Sequence, residues 1–381
     1  MYNDFIYFVK ALYKTDQPVP LHAPCFKGNE KKYVLDTIDS TFVSSVGAYV
    51  DGFEKKFAEF IGANYAIATV NGTAALHIAL LLAGVQANDE VITQPFTFVA
   101  TCNAIAYSQA FPVFVDIDLN TLGLSAEKLQ TFFEEHTVQQ NGRCINRETK
   151  RVVRACVPMH TFGHPAEIDK IAKVCHEHHV VLVEDAAESI GSYYDNKHTG
   201  IFGKLGIFSF NGNKIITTGG GGMIVTNDEN LAKKAKHITT TAKQAHPYEY
   251  VHNELGFNYR MPNINAALGV AQLEQLPGLL EMKRQLAKQY ETFFDDKEDI
   301  QFLQEPQKSK SNYWLNALIL KDKNARDVFL KRTNEAGVMT RPAWELMNRL
   351  PMYQACCTAS DSNAIYVSER LVNIPSGVPY A

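Results

Sequence analysis

An α/β fold on a parallel sheet, covered by helices on both faces, is what this 381-residue sequence predicts. Three observations carry the expectation. Short, apolar, β-branched runs at 65–70, 112–116 and 180–184 alternate with helical patterns. Unusual side chains stand where such runs end, which is where open parallel sheets bind ligands. The chain is 46% hydrophobic and 20% charged, which excludes a disordered polymer and supplies a core that needs no disulfide or metal staple.

The elements follow in order. A surface helix is expected over 1–14; Asp4 and the lack of a small-residue cleavage site argue against a signal peptide. Pro18, Pro20 and Pro24 then break the chain into turns up to about residue 40. Phe53, Phe57, Phe60 and Ile61 share one face of a helix that Gly62 closes. Strand 65–70 passes through Asn71-Gly72-Thr73 into helix 74–83. Strand 90–93, helix 97–107 and strand 112–116 come next. Strands 154–158 and 180–184 flank helix 167–179, and strands 206–210 and 222–226 follow. From about 273 the character changes. A Lys-, Glu- and Gln-rich amphipathic helix spans 272–294, and a looser segment holds Pro306 and three residues from Lys308. Strand 314–320, helix 325–336 and a proline-bearing tail complete the chain. A large domain over 1–272 and a small C-terminal domain over 273–381 are therefore expected.

Charge and cysteine content exclude several functions. A net charge of −4, from 37 basic and 41 acidic residues, leaves no footprint for nucleic acid. The longest nearly apolar stretch, 76–85, is about half of a membrane span. Seven cysteines without a CxxC pair point to a reducing, cytoplasmic setting, with the adjacent Cys356 and Cys357 as free thiols. His176, His178 and His179 read as polar groups ending a helix rather than metal ligands, and no metal is expected.

Three strand ends bear chemistry. Asn71-Gly72-Thr73 opens a helix, so it suits a phosphate or carboxylate, or is a plain capped turn. Glu184-Asp185 ends a buried strand, and alternation sends the two carboxylates to opposite sides. They suit a metal, a ribose or a protonated ring nitrogen, or Asp185 caps a helix. Lys214 follows Phe208-Ser209-Phe210 in a glycine-rich stretch, either as a solvated loop lysine or as a desolvated amine that attacks carbonyls. In this order the three features are what a pyridoxal phosphate site requires: donors for the phosphate, a carboxylate for the pyridine nitrogen and an amine for the aldehyde. Phe98 is a candidate to cover the ring. An NAD-type Rossmann site is excluded because VNGTAAL lacks GxGxxG.

Over nearly its whole length the sequence resembles the sugar aminotransferases of the DegT/DnrJ/EryC1/StrS family, which are fold type I pyridoxal phosphate enzymes. The resemblance rests on VNGTAALHIAL, FTFVATCNAI, FPVFVDID, HTFGHPAEID, VEDAAESIGS, GIFSFNGNKIITTGGGGMIVT and GFNYRMPNINAALG. PLHAPCFKGNE and IDSTFVSSVGAYVDGFE are similar to the subgroup associated with legionaminic acid and related acetamido sugars. The resemblance implies a large domain with a mostly parallel seven-stranded sheet between helices, plus a smaller α/β domain. It implies that Lys214 holds the cofactor covalently and that Asp185 pairs with its ring nitrogen. Gly72, Thr73 and Ser209 become phosphate ligands and Phe98 the stacking aromatic. Asn258 reaches the phosphate from a neighbouring subunit, which makes the unit a homodimer with shared sites.

Two positions depart from the wider pattern. Glu188 stands where many members have a glutamine facing the cofactor's ring oxygen, so its carboxyl must be protonated or paired with a donor. The glycine run reads GGGG where many members have a glutamate. The presence of Lys214 implies transamination rather than the dehydration of a branch with histidine there. The implied substrates are glutamate and a nucleotide-linked 4-keto-6-deoxy sugar, UDP-linked and N-acetylated. His160, Glu254, Tyr259, Arg260, Arg341 and Trp344 are candidate sugar-nucleotide contacts, since arginine grips a diphosphate and indole stacks on a base or sugar. The reading from a different class is a ligand-sensing protein without catalysis; the intact lysine, aspartate and phosphate turn argue against it.

Overall fold

In the computed structural model, which describes residues 2–379, two sheets share one long helix. Helices α1 (Tyr2–Leu12), α2 (Glu30–Asp39) and α3 (Ala48–Ile61) lead to strand β1 (Tyr65–Thr69). Then come α4 (Gly72–Leu82), β2 (Glu90–Thr93), α5 (Val99–Tyr107) and β3 (Phe111–Phe114). Helix α6 (Ala126–His136) enters a hairpin of β4 (Thr137–Gln140) and β5 (Arg143–Asn146), which precedes β6 (Val153–Val157), α7 (Ile168–Glu177) and β7 (Val181–Asp185). The short β8 (Tyr193–Tyr194) and β9 (Lys197–His198) are followed by β10 (Leu205–Ser209), β11 (Gly222–Thr226), α8 (Glu229–Thr239) and α9 (Asn263–Phe294). The last part holds β12 (Ile300–Phe302), β13 (Ser309–Lys310), β14 (Asn316–Leu320), α10 (Lys323–Glu335), β15 (Arg341–Pro342), α11 (Ser362–Ser368) and β16 (Leu371–Ile374).

The large sheet has the order β1-β11-β10-β7-β6-β2-β3. Only β11 is antiparallel to its neighbours, so the carboxyl ends of the other six strands face one way. The expected mostly parallel seven-stranded sheet is what is found. Helix α4 is buried through most of its length, as its near-continuous apolar sequence demands, and packs with α5 and α8 on one face. On the other face Phe53 and Phe57 of α3 meet Phe208 and Phe210, which flank Ser209, in edge-on ring contacts of 5.0 to 5.4 Å. Gly62 ends α3 in the left-handed conformation (φ 76°), the cap its sequence announced. Among the described residues no helix is long and apolar enough to cross a membrane. All seven cysteines are unpaired.

The small sheet, β12-β14-β16-β15, is antiparallel. Its core shows what the N-terminal helix and the long helix pack against. The N-terminal helix, expected as a surface helix, keeps Tyr7 exposed and turns its apolar face inward: Phe5, Val9 and Leu12 are buried with Tyr290, Phe294, Phe329 and the small-sheet residues Leu318 and Val372. The division at 272/273 falls inside α9, which runs unbroken for 32 residues despite Pro277. Its first half packs on α2 and α3 and its second half on the small sheet, so what changes near 273 is the packing partner. The proline-bearing tail contributes the buried β16.

Phe57→Ala should lower stability by about 3–5 kcal/mol, since it empties the ring cluster beneath Ser209. Chemical denaturation of purified wild type and variant checks this.

Candidate active site

At the carboxyl ends of β1, β7 and β10 lies a pocket of about 310 Å³. It gathers Gly72, Thr73, Phe98, Asp185, Glu188, Ser209 and Lys214, seven positions spread over 140 residues of sequence. Asn71 caps α4, its side chain accepting from the Ala74 N–H at 2.7 Å, so the plain capping role is real. The first turn of a helix still presents N–H groups without intrahelical partners. Gly72 is needed for closeness: a Cβ there would come within 3.0 Å of the Ser209 Cβ, so any side chain would push Ser209 away from the helix start.

The pleat separates the two carboxylates that end β7. Glu184 turns away from the pocket. Its Oε1 accepts the N–H groups of Phe202 (2.6 Å) and Gly203 (2.7 Å), and its Oε2 that of Gly200 (2.7 Å). Asp185 turns into the pocket. Its Oδ2 accepts from the Thr101 hydroxyl at 2.8 Å and its Oδ1 from the Ala187 N–H at 3.2 Å. Asp185 begins no helix. Burial pushes its carboxyl above the usual carboxylate range, against smaller pulls from its hydrogen bonds, Lys214 and His160.

Lys214 Nζ sits 3.4 Å from Glu188 Oε1 and 3.7 Å from the centre of the Trp314 ring. Glu188 Oε2 accepts the Phe162 N–H at 2.9 Å. Burial pushes the Glu188 carboxyl up to about 7, with Lys214 and the Phe162 N–H pulling against it. The donor its position demanded is thus present twice. Phe162 has φ 56°, a left-handed conformation costly for a bulky residue, and is held there between Phe96 and Trp344.

The proposed sugar contacts divide. Trp344 lines the pocket, 6.2 Å from the ring of Phe98, which is 48% exposed at the mouth. His160 is fully buried instead: its Nδ1 accepts from the Ala166 N–H, which leaves Nε2–H to donate to Glu184 at 3.1 Å. It braces β7 and touches no ligand space. Arg260 is buried against Glu54, 3.5 Å away, and Tyr259 stacks on Phe257. Arg341 is exposed and bonds Asn334, and Glu254 pairs with Lys234 and His237. None of these four lines the pocket. Asn258 is exposed at the base of the 240–258 excursion and also lies outside this chain's pocket.

Sequence reasoning missed Thr101, Trp314 and Asn312. Thr101 carried a signal, being one helical turn after Phe98. The other two come from the small unit, about 100 residues beyond Lys214, and nothing local marks them. A larger open groove of about 670 Å³, between Asp118–Thr121 and Ile300–Gln307, contains none of the strand-end groups. Among the described residues no group of His, Cys, Asp or Glu is arranged to hold a metal.

Pyridoxal phosphate makes three demands, and the residues fit it: a helix start that Ser209 approaches closely over Gly72, a buried carboxylate with few partners, and an amine in the same pocket. With the sheet order, this defines a fold type I pyridoxal-phosphate-dependent enzyme. Comparison with known proteins narrows the class. Residues 24–379 match the DegT/DnrJ/EryC1/StrS aminotransferase family, and the chain belongs to it. It is 36% identical over 361 residues to the putative pyridoxal phosphate-dependent aminotransferase EpsN of Bacillus subtilis (strain 168), covering 94% of this chain and 90% of that one. It is 37% identical over 335 residues to GDP-perosamine synthase of Escherichia coli O157:H7, covering 88% and 87%. Among solved structures it resembles Helicobacter pylori PseC, an aminotransferase involved in the biosynthesis of pseudoaminic acid, with a TM-score of 0.85, 26% identity and 94% of both chains covered.

The raised Glu188 carboxyl ties stability to pH. Its contribution is fully present below the unfolded value near 4.5 and is lost as pH rises through about 7. Glu188→Gln should therefore flatten the fall in melting temperature between those limits. Thermal melts of cofactor-free wild type and variant across that window check it.

Proposed function

We propose that this pyridoxal phosphate enzyme moves an amino group from glutamate to the ketone of a nucleotide-linked 4-keto-6-deoxy hexose, making an amino sugar for surface polysaccharide. The observation that carries the reading is Lys214, between Glu188 and Trp314, in one pocket with Asp185. When bound, the cofactor supplies an aldehyde that condenses with amines and a ring that takes up the electrons of an adjacent carbon.

The chain's own residues do the rest. Gly72, Thr73 and Ser209 hold the phosphate, Phe98 covers the ring, and Asp185 keeps the ring nitrogen protonated. Lys214 would hold the cofactor, and its amine, once freed by the amino donor, would carry a proton between the two carbons that flank the transferred nitrogen. Glu188 faces the ring oxygen, its second oxygen tied to the Phe162 N–H. Donor and acceptor use one site in turn, which makes the kinetics ping-pong. The names of the relatives support a sugar acceptor. The nucleotide is drawn two ways: the opening segment resembles the UDP-acetamido subgroup, and the relatives include GDP-perosamine synthases. Trp344, beside Phe98 at the mouth, is the sugar contact this chain supplies.

The working unit is a cytoplasmic homodimer in which Asn258 of each chain completes the other's phosphate site. The exposure of Asn258, with Tyr248, Tyr250 and Leu255 exposed on the same excursion, supports a covered face there.

Glutamate should shift the visible absorbance of the loaded enzyme, and UDP-, GDP- and dTDP-linked 4-keto-6-deoxy sugars should then be scored for amination by mass spectrometry. No shift with any amino donor sinks the reading, and turnover of GDP sugars alone replaces the acetamido assignment.

Lys214→Ala and Asn258→Ala chains should each be impaired, yet co-expression should restore roughly a quarter of the wild-type rate, because half of the dimers are hybrids with one intact site. No recovery in isolated hybrid dimers overturns the shared site.

A further inference from the structure

The amine of Lys214 rests on Trp314, and Trp314 is held at three points by groups of both units. The indole N–H donates to the carbonyl of Asn213, the neighbour of Lys214, at 2.7 Å. The Trp314 backbone N–H donates to Asn312 Oδ1 at 2.8 Å, and the Asn312 amide in turn donates to the carbonyls of Glu188 (2.9 Å) and Ile190 (2.8 Å). The Trp314 carbonyl accepts from Lys283 Nζ at 3.1 Å, and the same amine donates to the Ser376 carbonyl at 2.6 Å. Tyr313, between Asn312 and Trp314, has φ 50°, where bulky residues are strained.

Lys283 is the unusual member. It is 1% exposed in the middle of α9, and both its bonding partners are neutral carbonyls. Burial pushes its amine down to about 7. An apolar residue would fill the same space without that cost. What Lys283 adds is a fixed position for the Trp314 carbonyl relative to the tail at Ser376.

We propose that Trp314 is a further residue of the catalytic site, the seat that aims the Lys214 amino group into the pocket, and that Lys283 is the positioning residue that holds the seat. A lysine amine swings on a four-carbon stem, and reaction needs the joining atoms held about 3–3.5 Å apart. Glu188 bounds the amine on one side and the indole face bounds it on the other. The phosphate cradle is built from β1, α4 and β10 and does not use the seat. The proposal rests on Lys214 as the reactive lysine and is independent of the sugar.

The test uses cofactor-free protein. Attachment of pyridoxal phosphate to the lysine, which joins amine and aldehyde with loss of one water, is followed by stopped-flow absorbance. Binding of pyridoxine 5′-phosphate, which has an alcohol in place of the aldehyde, is measured alongside it. Trp314→Leu should slow attachment by roughly tenfold to a hundredfold while analogue affinity stays within about twofold. Trp314→Phe keeps a ring and should recover part of the rate. Lys283→Met, which leaves both the indole and the lysine in place, should slow attachment in the same direction. An unchanged rate in folded Trp314→Leu or in Lys283→Met overturns the proposal. So does an analogue affinity that falls by the same factor as the rate, which is what general loosening produces. Should Trp314→Leu not fold, Trp314→Phe and Lys283→Met decide by the same criteria. Attachment that persists in Lys214→Ala removes the lysine reading and the proposal with it, whereas failure of the sugar screen touches neither.

Discussion

Two adjacent carboxylates end β7, and the pleat makes them do different work. Consecutive side chains of a strand point to opposite faces. Glu184 therefore enters the protein, where three backbone N–H groups and the His160 imidazole surround it. That charge pulls the 200–203 turn onto the end of the central strand and sets where β10 begins. Asp185, displaced by one residue, faces the pocket with only a threonine hydroxyl and one N–H as partners. One carboxylate is saturated and structural; the other is left short of positive charge. The second can serve a cationic ring nitrogen because the first has already fixed the strand end.

The small unit is part of the same site. Asn312 and Trp314 reach from the segment before β14 to the Glu188 and Asn213 carbonyls, and Gly163 shows how closely they fit: a Cβ there would meet the Asn312 side chain at 1.7 Å. Gly163 has φ 92° and follows Phe162, so two successive left-handed residues bring the Phe162 N–H to Glu188 and clear space for Asn312. Helix α9 gives this contact its rigidity. It runs unbroken beneath both sheets, and Lys283 near its middle ties the Trp314 carbonyl to the tail.

What the sequence made legible was local. Strand-to-helix turns, the Gly62 cap and the opposed faces of Glu184 and Asp185 follow from short-range rules, and they lead to the parallel sheet and to one end of it. The phosphate turn and Asp185 adjoin strand ends and Lys214 follows one in the next loop, so pattern alone brings them near one another. The illegible part is made by long-range contacts. Helix α1 has the apolar face of any amphipathic helix, and only Tyr290, Phe294 and Phe329, about 285 to 325 residues away, decide what it covers. His160 looked available because it ends a strand; the fourth partner of Glu184 could not be foreseen from its neighbours. Arg260 likewise turns to Glu54, some two hundred residues earlier.

The glutamate at 188 gains its meaning from these same contacts. In the proposed placement of the cofactor, a glutamine there would offer its ring oxygen a neutral N–H donor. A carboxylate offers none unless it carries a proton, and in water it would not do so at neutral pH. Here burial raises the group to about 7, while Lys214 and the Phe162 N–H keep the rise from going further. The Phe162 N–H occupies Oε2, so only Oε1 is left toward the amine and the pocket. The strained Phe162 turn thus selects which oxygen faces the chemistry, and the packing of Phe96 and Trp344 holds that turn in place. Trp344 also stands beside Phe98 at the mouth. One indole thus lines the pocket mouth and packs the turn that bonds Glu188.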